Sequence, residues 1–257
     1  MTHTIAFVNN KGGVGKTTSA VNLGHALAVR NKKVLLIDLD SQCNATGIFL
    51  KDGAQGNTLY ELYSDDSSVD VASCIYPTNY DNLWLLPNVH ETATLELVLS
   101  TTPDKGYLLL RERLHHACTQ FDYILLDCPP NLGLFAVQAM ATASNIIIPI
   151  ECGSRFAIDG MQRTMEAISG VQQHFNDGIR SVRLLITRAD KRTSISRITT
   201  HQLRKHFGEE VFDTVIPLNT AVQQAELLHR TVIDYAPESN GAQYFHVLAN
   251  EIERSQA

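Results

Sequence analysis

The stretch that decides the fold is Asn9-Asn10-Lys11-Gly12-Gly13-Val14-Gly15-Lys16-Thr17-Thr18. It follows an apolar run that predicts a strand over 4–9, and it opens an amphipathic stretch that predicts a helix over 16–30. Glycines let successive backbone N–H groups turn inward around an anion, and a helix N-terminus adds partial positive charge. The stretch therefore predicts a phosphate-binding loop between a strand and a helix.

Two side chains of this loop have predicted roles in nucleotide chemistry. Lys16 is placed to reach the β- and γ-phosphates, and the Thr17 hydroxyl is placed to bind Mg²⁺. A glycine-rich turn without a ligand is the alternative, but the Gly-Lys-Thr ending between a strand and a helix argues against it. Further nucleotide contacts are expected from the rest of the loop and the first helical turn: Lys11, Gly12, Gly13, Val14, Gly15 and Thr18.

Short apolar runs alternate with longer amphipathic stretches along the rest of the chain, which is typical of right-handed βαβ units. The predicted fold is α/β, an open, doubly wound, mostly parallel sheet with helices on both faces. Further strands are predicted over 33–38, 83–87, 123–127, 145–150, 182–187 and 214–216. Further helices are predicted over 91–99, 105–120, 132–143, 157–175, 194–207 and 242–253, with Gly208 ending the helix over 194–207.

The length of 257 residues suits one sizeable α/β domain, expected over 1–257. Residues 51–82 are rich in Gly, Ser, Asp and Asn, which predicts a loop-rich excursion with one short helix near 58–63. The first predicted strand begins at residue 4, so no N-terminal helix-turn-helix arm is expected.

Composition narrows the compartment and the class of site. None of the five cysteines forms a C-x-x-C pair, which argues against a structural zinc site and favours a reducing cytoplasm. The N-terminus lacks a secretory signal pattern, and no apolar run approaches the roughly 20 residues that span a membrane. We therefore expect a cytoplasmic protein.

Acidic side chains end two of the predicted strands. Asp38 and Asp40 follow one buried run, and Asp127 ends another. Ligands of open α/β sheets bind at the carboxyl ends of the strands. The match of residues 123–130 to a Walker B segment implies that Asp127 binds Mg²⁺ through water. Capping of a helix is the alternative role for Asp40.

Several segments together resemble the ParA/MinD family of ATPases. Residues 11–17 resemble its deviant Walker A loop K-G-G-x-G-K-T, residues 38–46 its D-x-D-P-Q-G-N-A-T switch segment, and residues 127–133 its D-C-P-P-S-L-G Walker B segment. Further matches are FAIDGM at 156–161, VFDTVIPLN at 211–219 and YAPESNGAQ at 235–243. The resemblance covers nearly the whole chain and implies a P-loop NTPase fold that hydrolyses ATP with Mg²⁺. The chain departs from the family pattern at Ser41, Cys43 and Leu218.

The resemblance also implies an ATP-dependent homodimer with the nucleotides sandwiched between two subunits. Lys11 would then touch the phosphates of the partner subunit, unless it is only a solvated loop lysine. Asp40 would position or activate the attacking water, and Asp38 would support the Mg²⁺ shell. Residues implied to complete the nucleotide site are Asn44, Arg188, Pro217 and Asn219.

Positive charge is concentrated in residues 180–206. Eight basic residues and one acid give this segment an excess of seven positive charges in a chain of net charge −6, so the remainder sums to −13. Such an excess is typical of a polyanion-binding face, and the family binds DNA without sequence preference. The alternative is an ordinary solvated helix face, with the aliphatic stems of the arginines buried and no bound polyanion. Predicted contacts to double-stranded DNA are Arg192, Arg197, Arg204, Lys205 and Arg230.

The resemblance favours a partitioning ATPase that moves plasmid or chromosomal DNA, stimulated by a ParB-like partner and nucleoid-associated in its ATP state. Positioning of a protein cargo, such as carboxysomes or chemoreceptor arrays, remains an alternative. A MinD-like membrane ATPase is disfavoured because residues 247–257 carry two acids and one base, so no membrane partner is expected. Electron transfer, as in the nitrogenase iron protein, needs paired cysteine ligands that the spacing does not offer.

Overall fold

A computed structural model describes residues 2–64, 69–101, 106–115, 118–153, 157–190 and 192–255. Its seven-stranded sheet has the order β3-β4-β2-β5-β1-β6-β7. In this sheet β3 pairs antiparallel with β4, and the other strand pairings described are parallel. The strands are β1 (His3–Phe7), β2 (Val34–Asp38), β3 (Tyr76–Pro77), β4 (Leu83–Leu86), β5 (Tyr123–Asp127), β6 (Asn145–Glu151) and β7 (Ser181–Thr187).

Helices cover both faces of the sheet, so the predicted doubly wound fold is confirmed. In chain order the α-helices are α1 (Lys16–Ala28), α2 (Asn44–Phe49), α3 (Leu59–Tyr63), α4 (Thr92–Ser100), α5 (Leu109–Leu114), α6 (Leu134–Thr142), α7 (Ala157–His174), α8 (Ser194–Phe207), α9 (Thr220–Leu227), α10 (Val232–Tyr235) and α11 (Asn240–Ser255). Short 3₁₀ turns occur at Val71–Cys74, Cys118–Gln120 and Gly208–Glu210.

Two hydrophobic cores lie on opposite faces, because successive side chains of a strand point to opposite sides of a sheet. On β5, Ile124 and Leu126 belong to one core, which also holds buried residues of α6 and α7 and Leu203 of α8. Leu125 belongs to the other core, together with buried residues of α1, α9, α10 and α11. Both faces of the central strands are therefore buried, which explains their continuous apolar runs.

The sequence prediction of a strand over 214–216 is wrong. Phe212 N and Ile216 N donate to β7 carbonyls, but Thr214 N donates to the Glu251 carboxylate at 2.9 Å. Because that amide is turned away from β7, the pairing is interrupted. It leaves two isolated bridges, Leu184 to Val211 and Ala189 to Pro217.

Helix predictions differ from the structure in two ways. The helix predicted over 105–120 is shorter in its described part, where α5 spans only Leu109–Leu114, and residues 105, 116 and 117 lie outside the described residues. Three short helices, α2, α9 and α10, were not predicted. Gly208 follows α8 with φ 49°, as expected of a residue that ends a helix.

The segment 51–82 contains α3, a 3₁₀ turn and the edge strand β3, with residues 65–68 outside the described part. Thr58 and Glu61 form a reciprocal capping box at the start of α3. None of the helices in the described part of the chain is long and apolar enough to cross a membrane.

Candidate active site

The loop after β1 has the backbone geometry of an anion-binding turn. Gly13 and Gly15 adopt φ 73° and 90°, a left-handed conformation that favours glycine. Gly15 directly precedes α1, so the helix N-terminus points into the loop. The Thr187 hydroxyl at the end of β7 donates to Val14 O at 2.7 Å and holds the loop against the sheet. The side chain of Val14 is buried, so only its backbone is available to a ligand.

Lys16 is folded beneath the loop. Its Nζ donates to Asn9 O and to Lys11 O, both at 3.1 Å, and only 6% of the residue is exposed. Burial lowers the pKa of this ammonium group, while the Asp127 carboxylate opposes that shift. A poorly hydrated cation at a helix N-terminus is suited to bind phosphate oxygens.

Asp38 and Asp127 lie side by side at the carboxyl ends of β2 and β5, and both are fully buried. Neither oxygen of Asp127 accepts a hydrogen bond from any residue that the structure describes. Burial and the charge of Asp38 raise the pKa of Asp127 well above its ordinary value. The Thr17 side chain and the positive charge of Lys16 act in the opposite direction but are outweighed.

The unpaired carboxylate of Asp127 fits a divalent cation. Mg²⁺ in nucleotide sites is bound by one or two carboxylates, directly or through water, together with phosphate oxygens. The Thr17 hydroxyl lies close enough to Asp127 to lower its pKa, so both predicted ligands are at the same place. Among the described residues, no group of three or more His, Cys, Asp or Glu side chains could hold a metal ion.

Asp38 has hydrogen bonds that Asp127 lacks. Its carboxylate accepts from Thr46 N and Thr46 Oγ1 at 2.8 Å and from Asp40 N at 3.1 Å. Burial still raises its pKa to about 6. These contacts fix α2 to the end of β2, a structural role that the sequence did not reveal. The predicted role of Asp38 in the Mg²⁺ shell remains a prediction.

The segment that follows β2 places Asp40 at the edge of a cavity. Asp40 Oδ1 accepts from Gln42 N at 3.0 Å, and Asp40 O accepts from Cys43 N at 2.8 Å. Cys43 then adopts φ 56°, a left-handed conformation, at the position where the family pattern has glycine. Asp40 thus both closes a turn and faces the cavity. Its catalytic role therefore remains a prediction, and the capping role remains the alternative.

The cavity has a volume of about 640 Å³, which suits a nucleotide-sized ligand, and opens at the carboxyl edge of the sheet. It brings together most of the predicted nucleotide-binding residues: Gly12, Gly13, Gly15, Lys16, Thr17, Thr18, Asp40, Asn44, Arg188, Pro217 and Asn219. Asn219 also caps α9, because its side chain accepts from Ala221 N at 2.8 Å. Lining residues that the sequence did not indicate include Gln42, Thr187, Gln223, Glu226 and His229.

Lys11 lies beside the cavity and not over it. Its Nζ pairs with Glu151 Oε2 at 3.3 Å, and Arg188 Nε pairs with Glu151 Oε1 at the same distance. One carboxylate at the end of β6 therefore holds both cations. Their side chains are 41% and 47% exposed, so these pairs are weak and exchangeable.

The structure places three of the five predicted DNA contacts on one face of α8 and a fourth just before that helix. Arg197, Arg204 and Lys205 are exposed and share a face of α8, at i, i+7 and i+8. Arg192 precedes that helix, 85% exposed, and pairs with Asp190 at 2.8 Å. We call these four residues the α8 basic surface. Lys191 lies outside the described residues.

Arg230 is not part of the α8 basic surface. It follows α9, which packs on the opposite core from α8, and its Nε pairs with Asp234 Oδ2 at 2.6 Å. Arg183 is also engaged elsewhere, with Glu251 at 2.7 Å and over the ring of Phe212. Three of the eight cations counted in residues 180–206 form ion pairs within the described part of the fold: Arg183 with Glu251, Arg188 with Glu151 and Arg192 with Asp190.

Comparison with known proteins places the chain in a family. A family model described as an AAA domain matches residues 2–181. Together with the geometry, this defines a P-loop nucleoside triphosphatase. The chain is 35% identical over 249 residues to the sporulation initiation inhibitor protein Soj of Bacillus subtilis, covering 96% of this chain and 97% of that protein. It is also 35% identical over 251 residues to the chromosome partitioning protein ParA of Caulobacter vibrioides, covering 96% and 92%. The chain belongs to the ParA/Soj family and is an ATPase.

Solved structures agree with the fold and the cofactors. Cobyrinic acid a,c-diamide synthase from Mycobacterium smegmatis, solved with a bound ATP analog and magnesium, has a TM-score of 0.84 and 27% identity, covering 100% of this chain and 96% of that one. The cell division ATPase MinD of Pyrococcus furiosus has a TM-score of 0.81 and 26% identity, covering 99% and 100%. ATP and Mg²⁺ are the cofactors, as predicted.

Proposed function

We propose that this chain is a partitioning ATPase that binds DNA without sequence preference in its ATP-bound form. The α8 basic surface carries this proposal, since it adds an exposed cluster of cations to a P-loop ATPase of the ParA/Soj family. Side chains of this kind bind the phosphate backbone and carry no base information.

In the proposed cycle, nucleotide binding closes a homodimer. Lys16 and the loop amides hold the phosphates, Asp40 orients the attacking water, and Lys11 leaves Glu151 to reach the partner's nucleotide. The adenine packs near Pro217 and Asn219, and Asn44 senses the γ-phosphate. Bound Mg²⁺ would neutralise charge that develops on the phosphates.

A basic activator resembling ParB is the proposed partner, because the chain outside residues 180–206 is strongly acidic. Stimulated hydrolysis would then release the dimer from DNA. The nucleoid is the proposed location of the ATP-bound form. Segregation of plasmid or chromosomal DNA is favoured by the names of the sequence relatives.

DNA binding is tested by fluorescence anisotropy with unrelated duplexes and a non-hydrolysable ATP analogue. Affinity should fall steeply between roughly 50 and 200 mM salt and should not depend on sequence. Arg197→Ala with Lys205→Ala should weaken binding to every duplex and flatten the salt dependence. Lys33→Ala with Arg254→Ala removes two exposed cations outside the α8 basic surface and should change little.

Two site variants separate the steps of the cycle. Lys16→Ala should lose ATP binding, and DNA binding with it. Asp40→Ala should bind ATP and DNA but remain trapped on DNA. A flat salt dependence, or rapid release of Asp40→Ala from DNA in ATP, would contradict the proposal.

A further inference from the structure

Glu226 is a carboxylate in the nucleotide cavity to which the site described above gives no role. It lies on the last turn of α9 and accepts a hydrogen bond from the Thr18 hydroxyl on the first turn of α1. Of the described residues that line the cavity, Asp40 and Glu226 are the carboxylates. Asp40 belongs to the switch segment after β2, whereas Glu226 comes from α9, and His229 just beyond α9 contacts Gly47 O of α2 at 2.7 Å.

Two neighbouring features locate Glu226 along the cavity: its contact with Thr18 and the start of α9 after Asn219. Thr18 follows Lys16 and Thr17, so it lies on α1 just past the residues that hold the terminal phosphates. α9 starts directly after Asn219, at the end of the cavity where the adenine is proposed to pack, and Glu226 lies about 9 Å farther along the helix. Glu226 therefore lies between the phosphate end and the base end, where a bound nucleotide carries its sugar.

The chemistry of a carboxylate restricts what it can recognise there. An ionised carboxylate only accepts hydrogen bonds, and a nearby phosphate would repel it. Ribose offers two hydroxyl donors, and carboxylates bind ribose hydroxyls in dinucleotide-binding folds. We propose that Glu226 accepts hydrogen bonds from the ribose hydroxyls and makes the pocket select ribonucleotides over deoxyribonucleotides.

This inference rests on the nucleotide orientation in the proposed function and does not involve DNA or a partner. It is tested with ADP, 2′-deoxy-ADP and 3′-deoxy-ADP in Mg²⁺ by titration calorimetry, which avoids hydrolysis. The wild-type chain should bind ADP roughly 10- to 100-fold more tightly than the deoxy analogues, because a hydrogen bond to a charged group is lost. Glu226→Ala should bring the three affinities together, and Glu226→Gln should give an intermediate ratio.

Gln224→Ala is the matched control, since Gln224 is exposed on the same helix and does not line the cavity. It should keep the wild-type ratio. A wild-type ratio near one would overturn the inference, whatever the variants do. So would a Glu226→Ala chain that weakens all three ligands equally, because Glu226 would then act only by holding Thr18. DNA binding is measured separately, so either failure leaves the proposed DNA-binding role intact.

Discussion

Single residues at the phosphate site combine binding groups with unfavourable local conformations and charges. Cys43 shows this in the backbone, since its φ of 56° places a Cβ in a region that glycine occupies without cost. Burial and the nearby carboxylates of Asp38 and Asp40 raise the pKa of its thiol to about 12. The thiol is therefore protonated at neutral pH and takes no part as a nucleophile.

Cys43→Gly should stabilise the chain by about 0.5–1 kcal/mol, because relief of the left-handed strain exceeds the added freedom of the unfolded chain. Urea unfolding monitored by circular dichroism measures the change. Cys43→Ala keeps the Cβ and should give no gain from the backbone. Equal stability of the Gly and Ala variants would contradict the strain.

Asp127→Asn should stabilise the nucleotide-free chain at pH 8 by about 1 kcal/mol or more, since it removes a buried charge without a hydrogen-bond partner among the described residues. The folded pKa of Asp127 is raised, so wild-type stability falls as pH rises from the unfolded value near 4 through the folded value. The gain should therefore shrink at pH 5.

The same variant should lose the Mg²⁺-dependent part of its ADP affinity. Thermal unfolding at the two pH values and calorimetry with and without Mg²⁺ measure these effects. Asp177→Asn, at an exposed loop position, is the control and should be neutral. A variant that is less stable at both pH values would show that the carboxylate is paired after all.

At the scale of elements, the sequence predicts best what is buried and regular. The runs YILLD at β5 and NIIIPIE at β6 are continuous and apolar because helices cover both faces of the sheet. Pairings made by distant side chains leave no local signal. The Glu251 carboxylate accepts a hydrogen bond from Thr214 N, 37 positions earlier in the chain. The sequence of residues 214–216 alone carries no sign of this contact.

Short helices were missed for a related reason. α2 has six residues and α9 has eight, too few for an apolar period to stand out. Tertiary contacts hold them instead, such as the Asp38–Thr46 hydrogen bonds at α2. The phosphate loop was predicted because all of its residues are contiguous. Glu226 was not, because its partner Thr18 is 208 positions away.

Thr46→Val tests the anchor of α2. The Thr46 hydroxyl donates to Asp38 at 2.8 Å and accepts from Asn88 N at 3.0 Å. An isosteric methyl group leaves both partners buried without it, so the free energy of unfolding should drop by about 2–3 kcal/mol. Thr94→Val on the exposed side of α4 is the control. Equal losses in both variants would contradict the anchoring role.

At the scale of the molecule, charge is distributed unevenly. The net charge of −6 by itself argues against DNA binding. The total hides a basic segment in the sequence and an exposed cluster of cations on the surface. Within the basic segment, folding pairs Arg183 with Glu251 and Arg188 with Glu151, whereas Arg197, Arg204 and Lys205 are exposed together on α8.

Lys11→Ala tests assembly. The variant should bind ATP but fail to form ATP-dependent dimers, because the cation proposed to bridge subunits is lost. Light scattering with a non-hydrolysable analogue measures the mass. Lys33 is an exposed lysine directly before β2, and Lys33→Ala should dimerise normally. Dimers of ordinary stability from Lys11→Ala would contradict the proposed bridging role.

The position of β1 in the sheet determines which parts of the molecule can open locally. This strand is flanked by β5 and β6, and the phosphate loop leaves its end. Amide protons of β1 should therefore exchange with solvent only when the whole molecule unfolds, whereas those of α2 should exchange through local opening. The segment after β2 can then open locally while the strand that carries the phosphate loop stays in place.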